Sequence, residues 1–446
     1  MDIVVLPDVQ TNRTEASWGL PRGAVRTVSH PSGRPWIVGV WTDEEERRAT
    51  TATGTLVLLG TIDADREALA AEARPIRDFG DINSLYERIA GAYLSFLTVG
   101  NQFRVHGTLS SIHQIVYSTR LGYTVASNKV DVLRQAIGSR PREDLVPLLL
   151  LAPRRPWPYS ETPVWDGVEA VPSTHALRVQ ADGQHSLEER WRFPTDRLPL
   201  VDVAPRLRTA LSEAVAARAS PGRRISADLS GGMDSTTLAF FAHENTAELV
   251  TVRQAARDVT NDDARWAEEA HHHLPGATRI VIGTEDAEPW YSDWDTLDDG
   301  DLGEPYPALR TIAATRGLAR RVRAAGATTH VNGLGGDELF SPSFAHLHAL
   351  FRSARGATSG AVSRARAMGR WGLADSLVGL TTSPTWRRWA TDAASRLSTP
   401  RKMSPRLQWE PAPRMPDWAR AATLRSVRGA LESAAVRSPV PTRVVS

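Results

Sequence analysis

The sequence predicts an α/β protein in two parts. A strand-rich part spans residues 1–195, and a doubly wound parallel sheet with a helical C-terminal part spans 200–446. Three observations lead there. Short apolar runs between turn residues recur through the N-terminal part. Strand-like and helix-like runs alternate after it. Between the two lies a Pro- and charge-rich bridge, Trp191-Arg192-Phe193-Pro194-Thr195-Asp196-Arg197-Leu198-Pro199.

In the first part, Trp36–Trp41, Gly54–Gly60, Gly91–Phe96, Ile112–Tyr117 and Tyr123–Ser127 read as strands. Many short strands at regular spacing suggest two stacked sheets. After the bridge, Leu207, Ala210, Leu211, Ala214 and Val215 fall at helical spacing, with Pro205 suited to a first turn. A strand over Arg224–Leu229, a helix from Thr236, a strand over Glu248–Arg253 and a helix over Asp262–His273 follow. Next come a strand over Thr278–Ile282, a helix over Arg310–Ala325 and a strand at His330-Val331-Asn332. Such alternation argues a parallel sheet, whose ligands bind beyond the carboxyl ends of its strands. From about Ala345 the chain reads as helical, with Gly, Pro and Trp interruptions.

Composition excludes several chemistries. The chain has no cysteine, so disulfides, thiolate metal sites and cysteine nucleophiles are ruled out. No apolar run reaches about 18 residues, and Met1–Asp8 is too acidic for a signal peptide, so a soluble cytoplasmic protein without a membrane partner is expected. Only Lys129 and Lys402 are lysines. Residues 341–446 carry 17 basic and 5 acidic side chains, a basic region that suits phosphates or an acidic substrate. It lacks lysine-rich runs and base-stacking motifs, so nucleic acid is not the expected partner.

Two glycine loops carry the chemistry. The first, Ser230-Gly231-Gly232-Met233-Asp234-Ser235, sits between a strand and a helix, where backbone N–H groups and the helix dipole suit a pyrophosphate. It has no lysine and is not a Walker A loop. The second, Asn332-Gly333-Leu334-Gly335-Gly336-Asp337-Glu338, also follows a strand. Two acids on two such loops, Asp234 and Asp337, are the candidate Mg²⁺ ligands on ATP. Leu229, Ser230, Gly231, Gly232, Asp234, Ser235, Val252, Gly333 and Gly336 are the candidate nucleotide-binding residues.

The pair Ser-Gly-Gly-Met-Asp-Ser and Gly-Leu-Gly-Gly-Asp-Glu-Leu-Phe, in that order, resembles the asparagine synthetase superfamily. Asn261–Ala267 resembles its acidic, Ala-rich helix start. Gly91–Phe96, Arg104–Tyr117, Val125–Lys129 and Thr162–Val168 resemble the family's glutamine amidotransferase domain. The resemblance implies a degenerate Ntn-glutaminase-like α+β sandwich followed by an ATP-pyrophosphatase (adenine nucleotide α-hydrolase-like) sheet. It also implies ATP and Mg²⁺ as cofactors, and cleavage of ATP to AMP and pyrophosphate. Active glutaminases of the family use a cysteine at the mature N-terminus. Here Asp2 follows Met1, so glutamine hydrolysis by that route is excluded.

Asparagine synthetases carry Glu, and β-lactam synthetases Tyr, where this chain has Leu334. That departure, with Gly335-Gly336-Asp337-Glu338, Glu304-Pro305 and Arg414–Ala419, makes the lasso peptide cyclases the branch it resembles best. The implied substrate is a linear core peptide, with a leader peptidase and a leader-binding protein as further partners. An asparagine- or β-lactam-synthetase-like ligase for a small molecule is the competing reading. Asp234, Asp337, Glu338 and Lys402 are the expected catalytic residues, Lys402 by likeness to a lysine that stabilises charge in β-lactam synthetases. His271-His272-His273 reads as a solvated helix end, and Asp293–Asp301 as an exposed acidic loop. Trp386, Trp389, Trp409 and Trp418 are expected in the core.

Overall fold

The computed structural model describes residues 1–10, 18, 20, 25–152, 154–192, 194, 198–219, 223–246, 248–256, 258, 260–296, 303, 307–340, 347–348, 351, 359–369, 371–382, 385–398 and 412–436. These form two compact units. The larger comprises Met1–Ser139 and Gly167–Leu334, the smaller Arg140–Asp166 and Gly335–Ser446.

The larger unit begins with two antiparallel sheets. One contains, edge to edge, Glu169–Ala170 (β10), Val116–Ser118 (β8), Val125–Ser127 (β9), Asp2–Val5 (β1), Pro35–Val40 (β3) and Arg26–Ser29 (β2). The other contains His185–Glu189 (β12), His175–Val179 (β11), Gln102–His106 (β7), Ala90–Val99 (β6), Thr55–Asp63 (β5) and Glu46–Thr50 (β4). Their alternating apolar residues meet in one core. Ile3, Val5, Trp36 and Ile37 from the first sheet pack with Val57, Leu59, Leu94, Phe96 and Leu177 from the second. On the far face of β5 and β6, Leu56, Leu58 and Leu97 pack with Leu69 of helix α1 (Arg66–Ala73) and Leu85 of α2 (Asn83–Tyr86). Asp65 caps α1 by accepting from the Ala68 N–H. Burial holds the His106 imidazole well below its ordinary value, so it packs edge-on against Tyr86 as a neutral ring. The expected α+β sandwich is thus present. The run Ile112–Tyr117 enters the sheet only at Val116, because Ser110–His113 form a turn closed by Thr108.

Helix α3 (Val130–Ala136) follows β9, and its Asp131 carboxylate accepts from the Gly303 N–H at 2.6 Å. The second half of the unit is a parallel sheet. Its strands are Ile225–Asp228 (β13), Leu249–Gln254 (β14), Thr278–Ile282 (β15) and Thr329–Val331 (β16), in the order β15-β14-β13-β16. Period-two alternation assigns the two faces. Ile225, Ala227, Leu229 and Leu249 pack with Val215 of α4 (Leu200–Ala216), Ala239 of α5 (Met233–Asn245) and Ala267 of α6 (Asp263–His272). Val250, Val252 and Ile282 face the other way and pack with Val322 of α7 (Ile312–Ala324). Helices on both faces make the sheet doubly wound, as expected.

One helix start is corrected. Helix α4 begins at Leu200, after Pro199, and Pro205 lies inside it rather than in its first turn. The exposed first turn, Leu200 and Val201, buries little and left no periodic signal. His272 and His273 end α6 in solvent, 3.8 and 3.7 Å from Glu268 and Glu269.

In the smaller unit, Leu145, Leu148, Leu151 and Val164 share a core with Ala394, Leu397, Met415, Val427 and Leu431. Its helices include α8 (Gly336–Phe340), α9 (Ser359–Gly369), α10 (Leu373–Thr381), α11 (Trp386–Ser395) and α12 (Ala421–Val436). On α11, Trp386, Trp389, Ala390, Ala393 and Ala394 are buried, the i, i+3, i+4, i+7, i+8 stripe of an amphipathic helix. The Trp386 indole donates to the Ala434 carbonyl at 3.0 Å, and Tyr159 Oη donates to that of Ala430 at 2.9 Å. Trp386 and Trp389 are core, as expected, whereas Trp418 is exposed and Trp409 lies outside the described residues. Among the described residues, no helix is long and apolar enough to cross a membrane.

Candidate nucleotide-binding site

Strand β13 delivers the first loop. The Leu229 N–H donates to the Val252 carbonyl at 2.7 Å, extending the ladder one residue beyond β13. The side chains of Leu229 and Val252 are buried in the cores on opposite faces, so only their backbone is left to face a nucleotide. Ser230 and Ser235 then close the loop. Their hydroxyls are 2.7 Å apart, the Ser230 N–H donates to Ser235 Oγ at 3.2 Å, and the Gly232 N–H donates to Ser230 Oγ at 3.3 Å. The serines expected to touch phosphate therefore also shape the loop that would receive it.

Gly231 sits at φ +100°, in the left-handed region, and a Cβ there would run into the Asp263 carbonyl oxygen. Asp263 is itself fixed by Asn261, which accepts from the Asp263 N–H at 2.9 Å and donates to its carboxylate at 2.8 Å. Gly232 is the N-cap of α5, and among the described residues no side chain caps that helix. The N–H groups of its first turn are thus left for an anion, with half-buried Asp234 beside them.

The second loop leaves β16, the strand next to β13. Asn332 Oδ1 accepts from the Leu334 N–H at 3.1 Å. A Cβ on Gly333 would lie 2.9 Å from the Ser235 nitrogen and 3.3 Å from Asp234 Cβ, so the start of the second loop abuts the start of α5. The strand order reverses between β13 and β16, which makes this the switch point of the sheet. Leu334 is 87% exposed. Gly335, at φ +98°, opens the smaller unit, and Gly336 begins α8. Asp337 and Glu338 stand exposed in its first turn. Lys402 and Glu304-Pro305 lie outside the described residues. The Arg414–Ala419 segment packs by Met415 into the core of the smaller unit.

Sequence reasoning missed one group. His330 on β16 contacts Ser226 Oγ through Nδ1 at 2.9 Å, and its Nε2 lies 3.2 Å from Asp228 Oδ1. This cross-strand link ties β13 to β16 directly below the two loops. The signal was present: Ser226 and Asp228 are polar at alternate positions of an otherwise apolar strand.

In the sandwich, Asp2 occupies the position where the resemblance would place a nucleophile. Its carboxylate is 3.8 Å from Lys129 Nζ. The adjoining pocket, about 370 Å³ and lined by Met1, Thr61, His113, Asn128 and Lys129 among others, contains no thiol.

Among the described residues, no three His, Asp or Glu side chains converge as a metal cage. Mg²⁺ bound with a nucleotide needs only one or two carboxylates plus phosphate oxygens. Asp234 in the first turn of α5 and Asp337 in the first turn of α8 are each carboxylates of that kind, so the chemistry of each suits the ion.

The family model described as asparagine synthase matches residues 206–437. A comparison with curated proteins finds no match. Among solved structures, the chain is similar to the glutamine phosphoribosylpyrophosphate (PRPP) amidotransferase from B. subtilis complexed with ADP and GMP, at 12% identity over 68% of this chain and 77% of that chain, with a TM-score of 0.25. It is also similar to a structure of the allosteric regulatory enzyme of purine biosynthesis, at 10% identity over 67% and 76%, with a TM-score of 0.24. Scores this low carry no functional meaning.

Proposed function

Because this chain belongs to the asparagine synthase family of ATP-dependent amide-forming ligases, we propose that it is a lasso peptide macrocyclase. The observation that carries this reading is the meeting of both glycine loops at one switch point, with a leucine where the small-molecule ligases carry Glu or Tyr. The first-turn N–H groups of α5 would hold the phosphates of ATP. Asp234 and Asp337 would hold Mg²⁺, which neutralises phosphate charge when bound.

An Asp or Glu side-chain carboxylate of a linear core peptide attacks the α-phosphate, and pyrophosphate leaves. The peptide's own N-terminal amine then attacks the acyl-adenylate. An isopeptide bond forms, AMP leaves, and one proton is released. An α-amine has an ordinary pKa of about 7.7–8.0, so roughly a tenth or more is already neutral at pH 7. Positioning it therefore matters more than deprotonating it. This is consistent with Leu334, which offers no proton acceptor. Ammonia from glutamine is not needed, in keeping with the missing cysteine. Glu338 and Lys402 are proposed to assist closure. A leader peptidase and a leader-binding protein are proposed partners that would prepare the peptide.

The test is purified protein with ATP, Mg²⁺ and a candidate linear peptide, read by mass spectrometry. A product lighter by one water, with AMP and pyrophosphate in equal amounts, is expected. Asp234→Ala should lower ATP–pyrophosphate exchange by about a thousandfold. Amide formation from a small acid and free ammonia, with peptides left untouched, would sink the macrocyclase reading.

A further inference from the structure

The chain leaves β15 at Ile282, at the carboxyl end of the sheet, and re-enters the fold at Ile312, the start of α7. Both ends of this connection lie at the carboxyl end of the sheet, the end that carries the glycine loops, while Asp286 and Glu288 between them reach Arg321 near the far end of α7. Part of it is pinned with unusual care. Glu288 pairs with Arg320 and Arg321 of α7 at 3.2 and 2.9 Å, in the space left by Gly317, which has no Cβ. The Tyr291 N–H donates to the Arg310 carbonyl at 2.8 Å. Thr296 Oγ1 donates to the Asp293 carbonyl at 2.8 Å and accepts from Arg316 at 2.5 Å.

These bonds hold two non-glycine residues in the left-handed region, Tyr291 at φ +63° and Asp293 at φ +61°. That conformation is uncommon for a bulky side chain and persists only where its surroundings enforce it. What it achieves is outward display: Trp290, Tyr291 and Trp294 are 65%, 67% and 61% exposed. A buried aromatic core would need no such turn, as Trp36 shows by packing from a regular strand.

The surface has a charge preference. Arg310 already stacks on the Trp290 ring, 5.1 Å from its centroid, so a ring here accepts a guanidinium. Arg310 and Arg316 keep their charges, held by the neutral Trp290 ring and Thr296 hydroxyl, but residues 285–304 carry nine acidic side chains and no basic one, and the exposed carboxylates of Asp293 and Asp295 form no ion pair or side-chain hydrogen bond among the described residues. Aromatic faces beside unpaired carboxylates complement a cation on a flexible chain. We propose that Trp290, Tyr291 and Trp294, with Asp293 and Asp295, form the docking surface for a positively charged segment of the peptide substrate, an inference that rests on the macrocyclase reading.

The probes are two fluorescein-labelled linear peptides that differ only in carrying Lys or Glu at the same positions. Fluorescence anisotropy would compare the wild-type protein with the pairs Trp290→Ala/Trp294→Ala and Asp293→Asn/Asp295→Asn. Asparagine tolerates the left-handed backbone at 293, so the second pair preserves the turn. The Lys peptide is expected to bind wild type about tenfold more tightly than the Glu peptide. The Asn pair should erase that preference, and the Ala pair should weaken the Lys peptide about tenfold. Equal affinity of the two peptides for wild type overturns the proposal. So does unchanged affinity in the Ala pair, or loss of self-association as its only defect. Cyclisation assays separate the two readings. Charge-selective binding without any cyclised product leaves this surface standing and sinks the macrocyclase reading. Cyclisation with wild-type KM in both variant pairs does the reverse.

Discussion

The two glycine loops meet at the same switch point but are built differently. The first is closed on itself by Ser230 and Ser235 and roofed by Asp263 where Gly231 has no side chain. The second is held at its start by Asn332, and it then presents Leu334, Asp337 and Glu338 to solvent. Under the proposed function, the difference reads as a division of labour. A loop whose shape is fixed before its ligand arrives suits the common step, adenylation. A loop with exposed side chains suits the step that distinguishes one acceptor from another.

Three substitutions probe that contrast. Gly231→Ala should have the largest effect, because it combines a left-handed φ with a collision against fixed backbone. Strain of about 2 kcal/mol or more would lower ATP–pyrophosphate exchange by about thirtyfold. Gly333→Ala should cost less, about fivefold in the same assay, since its φ is not left-handed and its clash, with the Ser235 backbone nitrogen at 2.9 Å, is shallower than that of Gly231 with the Asp263 oxygen at 2.1 Å. A larger loss at 333 than at 231 would reverse the proposed hierarchy. Leu334→Glu should leave exchange within about twofold, because the side chain lies in solvent and packs against little. A tenfold loss of exchange would show that the second loop shapes adenylation too, and the division of labour would fail.

Much of this was legible in the sequence because it is local. A strand, a glycine turn and a helix start occupy adjacent positions, so both loops could be placed without knowing their neighbours. The sheet order could not. Nothing local states that β16 pairs with β13, although the pairing is what brings the loops together. The roof over Gly231 comes from Asp263, in a different connection, and the His330 link joins residues 104 positions apart. Leu145, Leu148 and Val164 look like ordinary apolar positions, yet their partners are on helices near the far end of the chain; Tyr159 and Ala430 are 271 positions apart. Pro205 misled because prolines mark helix starts on average, and here Pro199 did so.

The contact between Gly231 and Asp263 has a consequence for how such a protein changes over generations. The Asp263 carbonyl fills the space a side chain on Gly231 would need, so a shift of the Asn261–Asp263 turn is felt in the first glycine loop. Under the proposed function, changes of acceptor are expected instead in the connections after β15 and β16, which do not roof the first loop.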